Sequence, residues 1–300
     1  MQPIDRQAIV NYFKPFPKWA IGMIVLGVLF LSAKGFGLIF IAIGIVGIVM
    51  RTKNKPTDEQ IDSWFGQELQ TLTERAKQKV GHGALDVTGG EKIIYGPRIE
   101  NTGGAQITFI KGKDNIIRFT PVDITILFFA KDQLLGYQCS YDRRSGEPLA
   151  ERTEEYFYRD VVAVSTETIK METELQIGKG KLGKLNLIQF KTAEVFRLTT
   201  SGGTAFQVCL GSEDILKLKS AKGGKLPKTE SEKAIQAVRA MVRDKKSTSA
   251  QTAALSQTAS NPSAGGDQAS KIQKLKKLLD DGLITQEEFQ AEKTKALANL

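Results

Sequence analysis

Two strongly apolar runs without a charged residue stand near the start of the chain, at 19–33 and 36–50, with only Lys34 and Gly35 between them. One helix through both would be about 48 Å long, too long for a hydrocarbon core of about 30 Å. It would also hold Lys34 in mid-bilayer at a cost of about 3 kcal/mol. The pattern instead predicts a transmembrane hairpin over 18–50, two spans of roughly 22 Å each, with Lys34 at the turn reaching head groups. Spans this short need local thinning of the bilayer or flanking aromatics, and Phe13, Phe16 and Trp19 form such a belt. Arg6, Lys14 and Lys18 lie before the block and Arg51, Lys53 and Lys55 after it, so both flanks read as cytoplasmic. The second apolar run follows the first at once, without a small-residue cleavage site, which argues against a secretory signal.

Beyond the basic flank the period becomes helical. Over 57–80, Ile61, Trp64, Phe65, Leu69, Leu72 and Ala76 make one apolar stripe, Thr57 and Gln60 have capping-box spacing, and acids lead while bases trail. This amphipathic helix is expected to pack on the unit that follows. From about residue 85 the period drops to two. "QITFIK", "NIIRF", "VDITILFFA", "LLGYQCSYD", "EEYFYRDVVAV", "LNLIQFK", "EVFRLTT" and "AFQVCL" read as strands, and "GKDN", "AKDQ", "DRRSGEP" and "SGGT" as turns. Short links between consecutive strands imply antiparallel pairing in a small barrel or sandwich. "TESEKAIQAVRAMVRD" returns to helical spacing and closes the unit 85–245. Residues 246–270, rich in Ser, Ala, Thr and Gln, read as a flexible tether.

Composition narrows the function classes. The net charge of +9 points to an acidic neighbour such as a phospholipid or nucleic acid surface. Several of the cations already serve as flanks of the apolar block and no recognition motif occurs, so nucleic acid is set aside. Two cysteines, Cys139 and Cys209, sit in strand runs, which fits reduced thiols in a reducing compartment. The single histidine, His82, lies between glycines, and the cysteines lack metal spacing, so neither a hydrolytic triad nor a metal site can be assembled. No catalytic residue, metal or cofactor is expected. "GKGKLGK" has dinucleotide-loop spacing at Gly178, Gly180 and Gly183, but the segment after it alternates as a strand where that fingerprint needs a helix. Lys179, Lys181 and Lys184 are left as a basic loop.

The end of the chain, "KLLDDGLITQEEFQAEK", has the look of half a calcium loop. With Gly282 as the central glycine, loop positions one and three fall on Lys277 and Leu279, which offer no side-chain oxygen. The same residues work as helix punctuation. Ile272, Leu275, Leu278 and Leu279 make a stripe, Gly282 supplies the left-handed end, Thr285 and Glu288 form a capping box, and Ile284 with Phe289 make a staple. A helical hairpin over 271–300 has too little surface to fold alone without disulfide or metal, so its stripe needs a partner.

That stretch, "IQKLKKLLDDGLITQEEFQAEKTKAL", closely resembles the SHOCT family, the bacterial short C-terminal domain. The resemblance implies a bacterial protein that oligomerises or docks a partner protein through Leu275, Leu278, Leu279, Gly282, Ile284, Phe289 and Leu297. Many antiparallel strands closed by one helix, with "EYFYRDVVAVSTE" among them, resemble the pleckstrin-homology-like architecture of bacterial membrane-linked proteins. In that architecture basic loops meet head groups, which makes Lys179, Lys181 and Lys184 candidates for lipid contact. The expected whole is an α+β membrane protein. Residues 1–17 precede the transmembrane hairpin 18–50, the helix 57–80 and the PH-like β unit 85–245, and the tether 246–270 leads to the SHOCT hairpin 271–300. It would lie in the bacterial inner (plasma) membrane as a non-enzymatic multi-pass protein with both termini cytoplasmic. Its partners would be the lipid bilayer and itself or another protein. A module binding anionic lipid at the membrane surface is the alternative, and a membrane-bound enzyme a more distant one.

Overall fold

The computed structural model describes residues 4–14, 17–31, 36–52, 55–81, 87, 90–99, 107–179, 185–259 and 289–290. Contact density divides the chain into two units, 1–246 and 247–300.

The first unit is α+β with antiparallel sheets. Helix α1 (Arg6–Phe13) precedes a helical hairpin of α2 (Lys18–Leu29) and α3 (Phe36–Thr52). The expectation that this hairpin spans a membrane is corrected here. Among the described residues no helix is long and apolar enough to cross one. Helix α2 has 12 residues and α3 has 17. These lengths are about 18 and 26 Å, against a hydrocarbon core of about 30 Å. The apolar run continues past the helix, but α2 stops at Leu29, with Phe30 as its cap and Leu31 in a turn. Counting apolar residues overstated the helix. The multi-pass inner-membrane location rested on those spans and falls with them.

Helix α4 (Asp58–Lys79) forms as its sequence dictates. The Thr57 hydroxyl accepts from the Gln60 amide and the Gln60 side chain accepts from the Thr57 amide, closing the capping box. Ile61, Trp64, Phe65, Leu72 and Ala76 are buried against the β unit.

Among its described residues that unit has nine strands. β1 (Lys92–Pro97), β4 (Val122–Phe129), β5 (Gln133–Asp142) and β6 (Glu147–Phe157) form a four-stranded sheet in that order. β2 (Thr108–Lys111) and β3 (Ile117–Thr120) form a separate hairpin. β7 (Val161–Lys179), β8 (Leu185–Thr200) and β9 (Gly203–Gly211) form a three-stranded sheet. A short helix α5 (Glu213–Lys217) and the long α6 (Thr229–Ala259) follow. Strand β4 explains its own near-continuous apolar sequence, because both its faces are covered. Ile124, Ile126 and Phe128 join the core beneath α4, whereas Leu127 and Phe129 join the core beneath α6 with Ile235, Val238 and Val242. β1 meets β9 so closely that a Cβ on Gly96 would lie 1.7 Å from the Cys209 carbonyl oxygen, so only glycine fits there.

Five expectations needed revision. "LNLIQFK" and "EVFRLTT", read as two strands, are parts of one, β8. β1 was not among the predicted strands. β6 begins inside "DRRSGEP", read as a turn. "EEYFYRDVVAV" is not one strand: a 3₁₀ turn at Tyr158–Asp160 divides it between β6 and β7. The helix expected to end near Asp244 continues to Ala259, so the first part of the expected tether 246–270 is helical.

Candidate functional site

A cleft of about 400 Å³ opens on the β unit, lined by Arg98, Asp123, Gln138, Ser140, Glu151, Arg152 and both cysteines, among others. Adjacent strands position these groups, since Asp123 pairs across β4–β5 with Ser140 and Gln138 pairs across β5–β6 with Arg152. The Ser140 hydroxyl donates to Asp123. Gln138 Nε2 donates to the Gln207 carbonyl at 2.8 Å and its Oε1 accepts from Arg152 Nε at 2.8 Å, while Arg152 Nη2 donates to the Ala205 carbonyl at 2.6 Å. One wall is thus a connected set of hydrogen bonds joining the two sheets.

Glu151 on β6 is the electrostatic centre of the other wall. It accepts a two-pronged bond from Arg75 at 2.6 and 2.7 Å, one from Lys79 at 2.8 Å and one from the Tyr137 hydroxyl. The Arg75 guanidinium, helped by Lys79 and Tyr137, holds its carboxyl down to about 2 against a smaller opposing effect of burial. Burial pushes the thiols of Cys139 and Cys209 up to about 12. At neutral pH both are protonated, and the cleft offers charge and hydrogen bonds rather than thiolate chemistry. Among the described residues no cluster of histidine, cysteine and carboxylate side chains is arranged for a metal.

A second charge cluster fixes α4 at its start. Arg118 on β3, whose side chain is only 2% exposed, donates through Nε to Asp62 at 2.8 Å and through Nη1 and Nη2 to Asp114 at 3.0 and 2.7 Å. Asp58 lies 3.8 Å from Arg118 Nη1 and accepts from the Tyr12 hydroxyl at 2.6 Å and the Lys113 amide at 2.6 Å. Nearby, the buried Arg143 guanidinium stacks 3.5 Å over the Phe65 ring, and burial lowers its pKa to about 10. Most of these partnerships could not be read from the chain: Arg118 and Asp114 are close in sequence, but Arg75 with Glu151, Arg118 with Asp62, Tyr12 with Asp58 and Phe65 with Arg143 join segments dozens of residues apart. The one local signal was the alternation that aimed Gln138 and Ser140 to the same side of β5.

Of the residues singled out for partner binding, Phe289 is described: it is helical, with Gln290, and buried. Leu275, Leu278, Leu279, Gly282, Ile284 and Leu297 lie outside the described residues, as do Lys181 and Lys184. Lys179 closes β7. His82 lies outside them too.

Comparison with known proteins identifies this last region. Residues 270–297 match the SHOCT family, the short C-terminal domain. The SHOCT segment covers a small part of the chain and contains every residue of the expected docking stripe. No curated protein and no solved structure matches the chain.

Proposed function

We propose that this is a non-enzymatic assembly protein in which the β unit binds or senses a ligand and the SHOCT domain joins the chain to further copies of itself or to a partner protein. The SHOCT match at residues 270–297 carries this reading. Physical chemistry supports it, because a segment this short buries too little apolar surface to stand alone. The stripe Leu275, Leu278 and Leu279 is left in need of a cover. The four-stranded and three-stranded antiparallel sheets, with a helix following the last strand, support a pleckstrin-homology-like character for the β unit. The cleft beside Gln138 and Arg152 is the natural seat for a polar ligand of that unit.

The test compares the mass of the full chain with that of a chain ending at residue 270, in one mild detergent, by light scattering. The full chain is expected to be a multimer and the shortened chain to be smaller by whole protomers. Leu278→Asp with Leu279→Asp is expected to reproduce the loss. An unchanged protomer number in both would overturn self-assembly.

A further inference from the structure

The hairpin of α2 and α3 is built inside out for water. Sixteen of the twenty large apolar side chains that stand exposed among the described residues belong to it, including Leu29 at 70%, Phe36 at 63% and Met50 at 72%. Gly27, Gly37 and Gly44 face inward. A Cβ on Gly27 would lie 2.5 Å from the Gly37 carbonyl oxygen, and one on Gly44 would lie 2.6 Å from the Ala20 carbonyl oxygen. In a water-facing helical pair the large side chains meet in the middle. Here glycines bring the backbones together and the large side chains are turned out. That is how helices pack when the surroundings are as apolar as leucine and association depends on close van der Waals contact. Among the described residues no other element packs on α2 or α3 to a comparable extent.

The charge distribution indicates what those surroundings are. Between Trp19 and Met50 the sequence holds one ionisable residue, Lys34, outside the described residues, whose cost of about 3 kcal/mol in hydrocarbon is small against sixteen apolar side chains, while Lys14, Lys18 and Lys55 stand exposed at the base of the hairpin. At that base an open apolar groove of about 550 Å³ is lined by Trp19, Ile43, Val46 and Met50, among others. Apolar flanks, a tryptophan at one end and a collar of cations match the layers of a lipid surface with anionic head groups. The helix lengths set the depth: about 18 and 26 Å exceed the roughly 15 Å of one leaflet and fall short of the full core. We infer that α2 and α3 embed their outward-turned apolar side chains in a lipid bilayer from one side, without crossing it.

Flotation of the full chain with vesicles of equal parts phosphatidylcholine and phosphatidylglycerol tests this after detergent removal. The protein is expected to float. Leu29→Asp with Leu38→Asp is expected to lower partitioning about a hundredfold or more, since one carboxylate in the hydrocarbon already costs about that factor. Unchanged Trp64 emission, read in a Trp19→Phe background, shows that α4 stays docked in the variant. A second measurement needs no charged variant: lipids with brominated chains are expected to quench Trp19 emission. Leu31→Cys near the turn is expected to resist an impermeant maleimide on either side of the vesicle, Cys139 and Cys209 being buried. Wild-type protein that stays unfloated as a water-soluble oligomer would show that hairpins cover one another and would overturn the inference. So would equal flotation of the aspartate variant, unquenched Trp19, reaction of Leu31→Cys with outside reagent, or its reaction with reagent sealed in the lumen.

Discussion

Replacing Arg118 by methionine isolates the charge cluster that seats α4. Methionine keeps most of the buried stem and removes the guanidinium. Breaking a buried ion pair costs about 3–5 kcal/mol when the abandoned partner stays dry. Here the partners are only partly dry: Asp62 is 52% exposed and Asp114 is 32% exposed, so both recover water. Asp58 keeps its bonds from the Tyr12 hydroxyl and the Lys113 amide. The expected loss is therefore about 2–3 kcal/mol, below the buried limit and above the about 0–1 kcal/mol of a surface pair. Asp62→Asn alone should cost no more than about 1 kcal/mol. Urea titration in mild detergent, in a Trp19→Phe background, reads the result from Trp64, which is buried on α4. The hydrogen bond from Arg118 lowers the Asp114 pKa. A lowered carboxylate stabilises the fold above its unfolded value of about 3.9 and loses that contribution as pH falls through the folded value. The gap between parent and variant should thus be full at neutral pH and narrow below about pH 4. A variant within about 0.5 kcal/mol of its parent at neutral pH would refute the cluster as the seat of α4.

Three further outcomes follow from the packing. Gly96→Ala should destabilise the β unit by about 3 kcal/mol because its methyl meets the Cys209 backbone. Gly66→Ala should stabilise by about 0.5–1 kcal/mol, as Gly66 lies inside α4 with nothing within 4 Å, and thermal melts of the two variants should move in opposite directions. Neither Cys139 nor Cys209 should react with iodoacetamide at neutral pH in the folded protein, and both should react in urea, as mass spectrometry of the alkylated chain would show.

Elements with one strong period were legible in the chain. The capping box and stripe of α4 specify that helix locally, and β4, β5 and β9 were legible as β-rich apolar runs bounded by short turn signals. Legibility failed where a local signal was ambiguous or absent. β1 is short and is held by β4 and by the close approach of Gly96 to β9, a contact across more than a hundred residues. The division between β6 and β7 depends on Tyr158, whose hydroxyl donates to the Ala130 carbonyl at 2.8 Å, so a tertiary bond turns what reads as a continuous aromatic strand. The apolar block showed its hydrophobicity in the chain but not the length of helix it would form. The SHOCT segment was legible because its capping-box, staple and glycine-stop patterns all lie within a few residues of sequence. The cleft was not, since Glu151, Arg75 and Tyr137 come from three elements.

The bond from Tyr12 to Asp58 has a mechanical consequence. It ties the segment before the apolar hairpin to the segment after it, and Ile9, Tyr12 and Phe13 wedge beside it in the core. A pull on the hairpin is therefore shared by two anchors, one on each strand of the neck. The sheets begin only at β1, beyond both anchors, so tension is spent on the neck before any strand is unzipped.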